Sequence, residues 1–192
     1  MKFVIFHGAY GHAKENWFPY LAQELKKLGQ DVIVPNFPTP ENQSLTSWFS
    51  VFENVKNDFG KEELCFVGHS LGPLFILHAV HRYNIQLKSA IFAGPFFEPL
   101  GIEKFDSINK TFYQLDFDFN KLKELIPQSY VIYSNNDHIV PPNRSLHFAE
   151  KLGSKTIEIK NGGHLNAQSG FTTFPLVLEI CRKRVEAVVE FN

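Results

Sequence analysis

The five residues Gly68 to Gly72 read GHSLG and place a serine between two glycines, a spacing that suits nucleophilic chemistry. The apolar run Cys65 to Val67 precedes them as a predicted strand, and a predicted helix follows them. Strand, G-x-S-x-G and helix are together the context of a nucleophile elbow, a tight turn that exposes a serine hydroxyl. Nearby backbone crowds such a turn, so only glycine fits two residues before and two residues after the serine. Ser70 is therefore the candidate nucleophile, and an ordinary glycine-rich loop is the alternative.

A serine hydroxyl attacks efficiently only when a base takes its proton, and two residues further along the chain suit that chemistry. His164 follows the alternating pattern of a predicted strand at 156–159, and Asp137 follows a predicted strand at 129–134. Reactive groups collect at the carboxyl ends of parallel strands, and the order Ser, Asp, His is the one expected of α/β-hydrolases. We predict that His164 is the general base and that Asp137 is the acid that orients it.

Both residues also have a structural interpretation. His164 could be a plain loop histidine, and Asp137 could be a turn former after two asparagines. Asp116 and Asp118 compete with Asp137 for the role of the acid, but no predicted strand precedes them.

The oxyanion that acyl transfer produces needs backbone N–H donors close to the serine. We expect one from Leu71, directly after the nucleophile, and one from Ala9 in the loop after the first predicted strand, with Tyr10 as second choice. His7 and His69 flank this site, and we expect supporting hydrogen bonds from them rather than chemistry.

Aromatic side chains are candidates for the wall of an apolar acyl or leaving-group pocket. The candidates are Tyr10, Trp17, Phe37, Phe96 and Phe97. A place in the core explains large rings equally well, so the sequence leaves open whether the Phe-rich segment 96–119 is a lid or core.

Strand patterns alternate with helix patterns along the whole chain, and short loops join them. Ser44 is the predicted start of a helix, and Asn16 is the predicted cap of an earlier one. Pro175 starts the last helix, in which Val188 is among the residues expected to face the core. This alternation predicts a parallel sheet with helices on both faces, in a single domain spanning residues 1–192.

Bulk properties exclude several classes of function. The 192 residues carry a net charge of -1, which provides no field for nucleic acid or anionic membrane. The chain has no metal-ligand motif and no apolar stretch of membrane-spanning length, so we expect no metal, no cofactor and a cytoplasmic protein. The two cysteines, Cys65 and Cys181, are expected to be buried thiols rather than a disulfide.

Several motifs together resemble one known group over almost the full length. They are FVIFHGAYG, NWFPYL, VPNFPTP, FVGHSLG, DFDFNKL, SNNDHIVP and NGGHLNAQSGF. The chain resembles small α/β-hydrolase-fold serine hydrolases of the retinoblastoma-binding-protein-nine type, including their short bacterial relatives. The resemblance implies Ser70 as nucleophile, Asp137 as acid and His164 as base. It also implies six strands in the order 2-1-3-4-5-6 and no large cap domain. The Leu-x-Cys-x-Glu peptide linked to retinoblastoma-protein binding is absent, so that partner is not expected.

These observations predict a serine hydrolase that cleaves small acyl esters through an acyl-enzyme, with amides and thioesters as further substrates to consider. A small-molecule acyl substrate is the expected partner, and protein partners are left open. The alternatives are a protein-interaction module that keeps the fold without turnover, and a peptidase or acyltransferase with the same three residues. Activity should fall at acidic pH, because a protonated imidazole cannot accept the serine proton.

Overall fold

The structure is a computed structural model that describes residues 1–114 and 117–189, with side chains through residue 186. Asp116, one of the competing acids, and the side chain of Val188 therefore lie outside the described residues. Within the described ranges, no helix combines the length and the apolar character needed to cross a membrane.

Six parallel strands form one sheet in the spatial order β2-β1-β3-β4-β5-β6. Their bounds are β1 (Lys2–Phe6), β2 (Asp31–Ile33), β3 (Leu64–His69), β4 (Ser89–Ala93), β5 (Ser129–Ser134) and β6 (Lys155–Ile159). The predicted parallel sheet and its strand order are confirmed, and the described residues form no large cap domain. Because all strands run the same way, the loops that follow β1, β3, β5 and β6 leave the sheet at one edge.

Seven α-helices connect or flank these strands in the described part of the chain. They are α1 (Phe18–Lys27), α2 (Leu45–Asn57), α3 (Leu71–Tyr83), α4 (Glu103–Asn109), α5 (Phe119–Leu125), α6 (Pro142–Leu152) and α7 (Pro175–Val189). Ser44 caps α2 as predicted, since its hydroxyl accepts a hydrogen bond from the Ser47 N–H. Pro175 begins α7, also as predicted.

Asn16 does not cap α1, which corrects the sequence prediction. The residue before α1 is Trp17, which makes no side-chain cap. Asn16 has a left-handed backbone with φ 51°, and its side-chain oxygen accepts a hydrogen bond from the Ala167 N–H, 151 residues away. The side chain is thus used for a long-range contact that local sequence does not reveal.

The apolar strands face two separate cores because successive side chains point to opposite faces of the sheet. In β1, Phe3 and Ile5 pack with α1 and α7, whereas Val4 and Phe6 pack with α2 and α3. Cys65 and Cys181 are both buried in the first of these cores and are free thiols, as expected.

Candidate active site

Ser70 lies between β3 and α3 with a strained backbone, φ 60° and ψ -109°. Glycine is required on both sides of it for steric reasons. A Cβ atom on Gly68 would lie 2.8 Å from the Pro73 nitrogen, and one on Gly72 would lie 2.6 Å from the Phe6 carbonyl oxygen. The backbone N–H of Ser70 donates to the Ala93 carbonyl at 2.9 Å, which ties the turn to the neighbouring strand. The motif therefore folds as the predicted elbow.

His164 and Asp137 meet at the same edge of the sheet. The Nδ1 atom of His164 lies 2.8 Å from Oδ2 of Asp137, and both side chains are almost fully buried. The other carboxylate oxygen, Oδ1, accepts the N–H groups of Ile139 and Val140, each at 2.9 Å. In this arrangement a neutral His164 donates from Nδ1, so that Nε2 keeps a lone pair for a proton.

Ser70 and His164 line one cavity of about 280 Å³. Among the described residues no hydrogen bond joins the serine hydroxyl to the imidazole, a looser geometry that is common before substrate binds. Gly94, directly after β4, lies beside His164 and Asp137. A Cβ atom there would lie 3.6 Å from both Asp137 Oδ2 and His164 Cε1.

The two predicted N–H donors also lie in this region. Leu71 is the first residue of α3, so its N–H has no acceptor within the helix. The Ala9 N–H has no hydrogen-bond acceptor in the part of the chain that the structure describes, and Ala9 lines the cavity beside Ser70.

His7 holds the peptide that carries the Ala9 N–H. Its Nε2 accepts the Phe37 N–H at 2.9 Å, so its Nδ1 carries the proton and donates to the Gly8 carbonyl at 2.8 Å. Since the carbonyl and the N–H of a trans peptide point in opposite directions, this bond fixes the direction of the Ala9 N–H. Burial lowers the pKa of His7 to about 4, which keeps it neutral in this role.

His69 packs against the candidate base. The centroids of the His69 and His164 rings are 4.8 Å apart, and Nε2 of His69 lies 2.8 Å from the His164 carbonyl oxygen. Burial, followed by the nearby His164, lowers the pKa of His69 to about 3. His69 is therefore neutral, donates from Nε2 and adds no positive charge beside the base. This agrees with the supporting role predicted for His7 and His69.

The cavity is lined mainly by polar groups, which corrects the predicted aromatic pocket. Of the five predicted lining residues, Tyr10 alone is found there. Trp17, Phe37 and Phe96 are fully buried in the two cores, and Phe97 packs against Phe119 and Phe148. These rings fill space between sheet and helices, where they pack among aliphatic side chains. The other residues around the cavity are Gly8, Ala9, Glu15, Asn16, His69, Ser70, Lys104, Phe105, Ile139, His164, Asn166 and Gln168.

Three further observations limit the alternatives. Asp118 caps α5, where its carboxylate accepts the N–H groups of Asn120 and Lys121, so it is not available as the acid. A larger cavity of about 610 Å³ is lined by Lys2, Asp31 and other residues at the opposite edge of the sheet, away from Ser70. In residues 1–114 and 117–189, no group of three His, Cys, Asp or Glu side chains could hold a metal ion.

The fold and this geometry agree with comparisons to known proteins. A family model described as serine hydrolase matches residues 3–183. The chain belongs to the serine hydrolase family. The matched range includes Ser70, Asp137 and His164.

Two relatives show how far the similarity of this serine hydrolase extends. It is 29% identical over 179 residues to YdeN of Bacillus subtilis (strain 168), covering 92% of each chain. The crystal structure of the ydeN gene product has a TM-score of 0.87 at 26% identity and covers 96% of this chain and 98% of that one. Est1E from Butyrivibrio proteoclasticus has a TM-score of 0.72 at 16% identity, with 96% and 88% covered, which shows a shared fold.

Sequence reasoning missed two parts of the site of this serine hydrolase. Helix α4 was not predicted, although it brings Lys104 and Phe105 to the cavity. The sequence gives no role to the two asparagines before Asp137, yet Asn135 and Asn136 accept hydrogen bonds from the loop that carries His164. Only the position of this loop next to β5 in space could have revealed those contacts.

Proposed function

We propose that this serine hydrolase cleaves small, polar acyl esters through an acyl-enzyme on Ser70, with His164 as general base and Asp137 as the orienting acid. The observation that carries the proposal is the 2.8 Å contact between His164 Nδ1 and Asp137 Oδ2, buried beside the elbow. A buried carboxylate that fixes the tautomer of a histidine at the edge of a serine's cavity is the arrangement that acyl transfer requires.

The reaction begins when the Ser70 oxygen attacks the ester carbonyl while His164 Nε2 takes the hydroxyl proton. The negative oxygen that forms is stabilised by the N–H groups of Leu71 and Ala9. The resulting imidazolium is stabilised by Asp137 and gives its proton to the departing alcohol. A water then repeats the sequence on the acyl-enzyme and releases the carboxylic acid.

The size and the lining of the cavity support a short acyl group. A volume of about 280 Å³ is at or below the lower end of the range for small-molecule sites. Asn16, Asn166, Gln168 and Lys104 line it. Trp17, Phe37 and Phe96 of the predicted pocket are buried elsewhere. Amides and thioesters fit the same three residues, and the finer likeness to the retinoblastoma-binding-protein-nine type is part of this proposal.

The proposal is tested with Ser70→Ala and the matched control Ser50→Ala, which changes an exposed serine on α2. We expect wild type and S50A to hydrolyse p-nitrophenyl acetate and to react with a fluorophosphonate probe, and S70A to do neither. A folded wild-type protein without hydrolysis or labelling, measured beside a reactive control hydrolase, would favour a non-catalytic interaction module. Turnover of aminoacyl amides but not of esters would favour a peptidase.

A further inference from the structure

We propose that Asn136 and Trp17 are positioning residues that hold the loop carrying His164 in place for its work on Ser70. The base loop, defined as residues 160–170, follows β6 at the rim of the sheet. The catalytic part of this inference rests on the proposed function, but the placement of His164 against Asp137 can be measured without turnover.

The first support is a set of side chains that hold the loop before His164. Three successive backbone N–H groups, those of residues 161–163, donate to side chains of the three successive residues 134–136. The bond nearest to the base runs from the Gly163 N–H to Oδ1 of Asn136, at 2.8 Å. Asn136 directly precedes Asp137, so the turn that carries the candidate acid also binds the backbone next to His164.

The second support lies on the other side of His164. Nε1 of Trp17 donates to the Leu165 carbonyl at 3.0 Å, and Nε2 of His69 donates to the His164 carbonyl at 2.8 Å. Oδ1 of Asn16 accepts the Ala167 N–H at 2.9 Å. Trp17 was predicted to line a substrate pocket, but its ring is fully buried and its polar atom binds the base loop.

The backbone of the loop explains why it needs outside partners. The φ angles of Asn161, Gly163 and Leu165 are 56°, 52° and 53°, all in the left-handed region. Such a backbone forms no regular helix or strand ladder here, and the N–H groups of residues 161–163 are instead bonded by side chains outside the loop. A left-handed conformation is unfavourable for leucine, so contacts elsewhere in the fold must hold Leu165 in it.

Such contacts matter for catalysis because proton transfer depends steeply on distance. A misplacement of about 1 Å can lower a rate about 100-fold, even when the mutation lies away from the reacting atoms. Neither Asn136 nor Trp17 lines the cavity, so we expect them to act through the base loop rather than on the substrate. We therefore expect their loss to lower kcat while KM for a small neutral ester stays the same.

The decisive variants are Asn136→Ala and Asn136→Asp. Asn136 is exposed, so neither change opens the core. Alanine removes the acceptor for the Gly163 N–H, and we expect kcat for p-nitrophenyl acetate to fall about 10-fold to 100-fold. Aspartate keeps an acceptor oxygen, and we expect kcat on the high-pH plateau to return to within about threefold of wild type. Its added negative charge favours the imidazolium, so the acidic limb of the pH–rate profile should move to higher pH.

Trp17→Phe supplies an independent test, because phenylalanine keeps an aromatic ring but removes the Nε1–H donor. The control is Asn135→Ala, which frees only the Asn161 N–H, three residues from the base. We expect W17F to lower kcat at unchanged KM and N135A to have a smaller effect than N136A. Thermal unfolding of each variant shows whether it is folded at the assay temperature.

A proton resonance separates failure of this inference from failure of the proposed function. The Nδ1 proton of His164 in its bond to Asp137 should give a far-downfield NMR signal in wild type, with or without ester turnover. We expect N136A and W17F to shift or broaden this signal and N136D to preserve it. Wild-type kcat and an unchanged signal in folded N136A and W17F would overturn the inference. An inactive wild type whose signal responds to these variants would overturn the proposed function alone.

Discussion

The two sides of the candidate catalytic cavity are built in opposite ways. The inner side, formed by Asp137, His164 and His69, is almost fully buried, and the Asp137 carboxylate, Nδ1 of His164 and Nε2 of His69 each have a hydrogen-bond partner. The outer side, formed by Tyr10 and Lys104, is exposed. There the Tyr10 hydroxyl donates to the Lys104 carbonyl at 3.0 Å, and the Lys104 ammonium lies 4.6 Å from the centroid of the Tyr10 ring.

This contrast suggests that the inner side carries out proton transfer and the outer side selects the substrate. The inner side follows strand ends whose places are fixed by the sheet, so it can hold atoms to the tolerance that proton transfer requires. The outer side comes from a loop and a short helix, whose contacts with solvent leave room to accommodate different acyl groups. Changes on the inner side should therefore lower kcat for every substrate, and changes on the outer side should alter the ranking of substrates.

The largest effect is expected from Asp137→Asn. Oδ1 is held by the Ile139 and Val140 N–H groups, so the new amide nitrogen would face His164 Nδ1. The imidazole would then carry its proton on Nε2, where it cannot accept one from Ser70. We expect kcat for p-nitrophenyl acetate to fall about 10⁴-fold. Activity within tenfold of wild type would show that Asp137 is not the orienting acid.

A second large effect on the inner side is expected from Gly8→Ala. The new Cβ atom would lie 2.7 Å from Cβ of Ser70, so the nucleophile or the Ala9 peptide must move. Loss of one oxyanion donor costs about 10²-fold to 10³-fold in kcat, and we expect a loss of that size. The control is Ala9→Gly, which keeps the N–H and should stay within about threefold of wild type. Equal activity of G8A and A9G would contradict the assigned donor.

The same contrast explains what the sequence could and could not predict. Ser70, Asp137 and His164 could be proposed from the sequence because each follows a predicted strand, and the strand ends of a parallel sheet share one edge. The pocket was not predicted correctly. The sequence shows that Trp17, Phe37 and Phe96 are apolar, but not whether they line the cavity or fill the core on either face of the sheet. Lys104 was missed because helix α4 lies in a segment with weak periodicity. The structure of such a segment depends on contacts with other parts of the same protein.

On the outer side, Lys104→Glu tests whether charge selects the substrate. Within the described residues, Lys104 makes no ion pair, and Glu15 is the one acidic side chain that lines the cavity. Burial raises the pKa of the Glu15 carboxyl, which favours its neutral form. Relative to p-nitrophenyl butyrate, kcat/KM for p-nitrophenyl hemisuccinate should fall about threefold to tenfold in K104E. Lys110→Glu, an exposed change outside the cavity lining, is the control, and an equal ratio in both variants would exclude selection by Lys104.

The smallest effect is a loss of stability at acidic pH. We expect this loss to arise from buried histidines rather than from the exposed outer side. Burial lowers the pKa of His7 and His78 to about 4 and that of His69 to about 3, all below the ordinary value of 6.5. Between these values the unfolded chain binds protons that the folded chain does not, so the free energy of unfolding falls as pH drops below 6.5. Each histidine contributes a slope of up to about 1.4 kcal/mol per pH unit.

His78→Gln isolates one of these contributions without touching the cavity. Nε2 of His78 lies 2.7 Å from the Phe112 carbonyl oxygen, and the glutamine amide can donate to the same oxygen. Urea unfolding at pH 7.5 and at pH 5 should show that H78Q loses less stability than wild type between the two. Proton uptake on unfolding at pH 5 should fall by about one. If the free energy of unfolding of H78Q depends on pH as strongly as that of wild type, His78 is protonated in the folded protein. Exposed groups would then account for the loss of stability in acid.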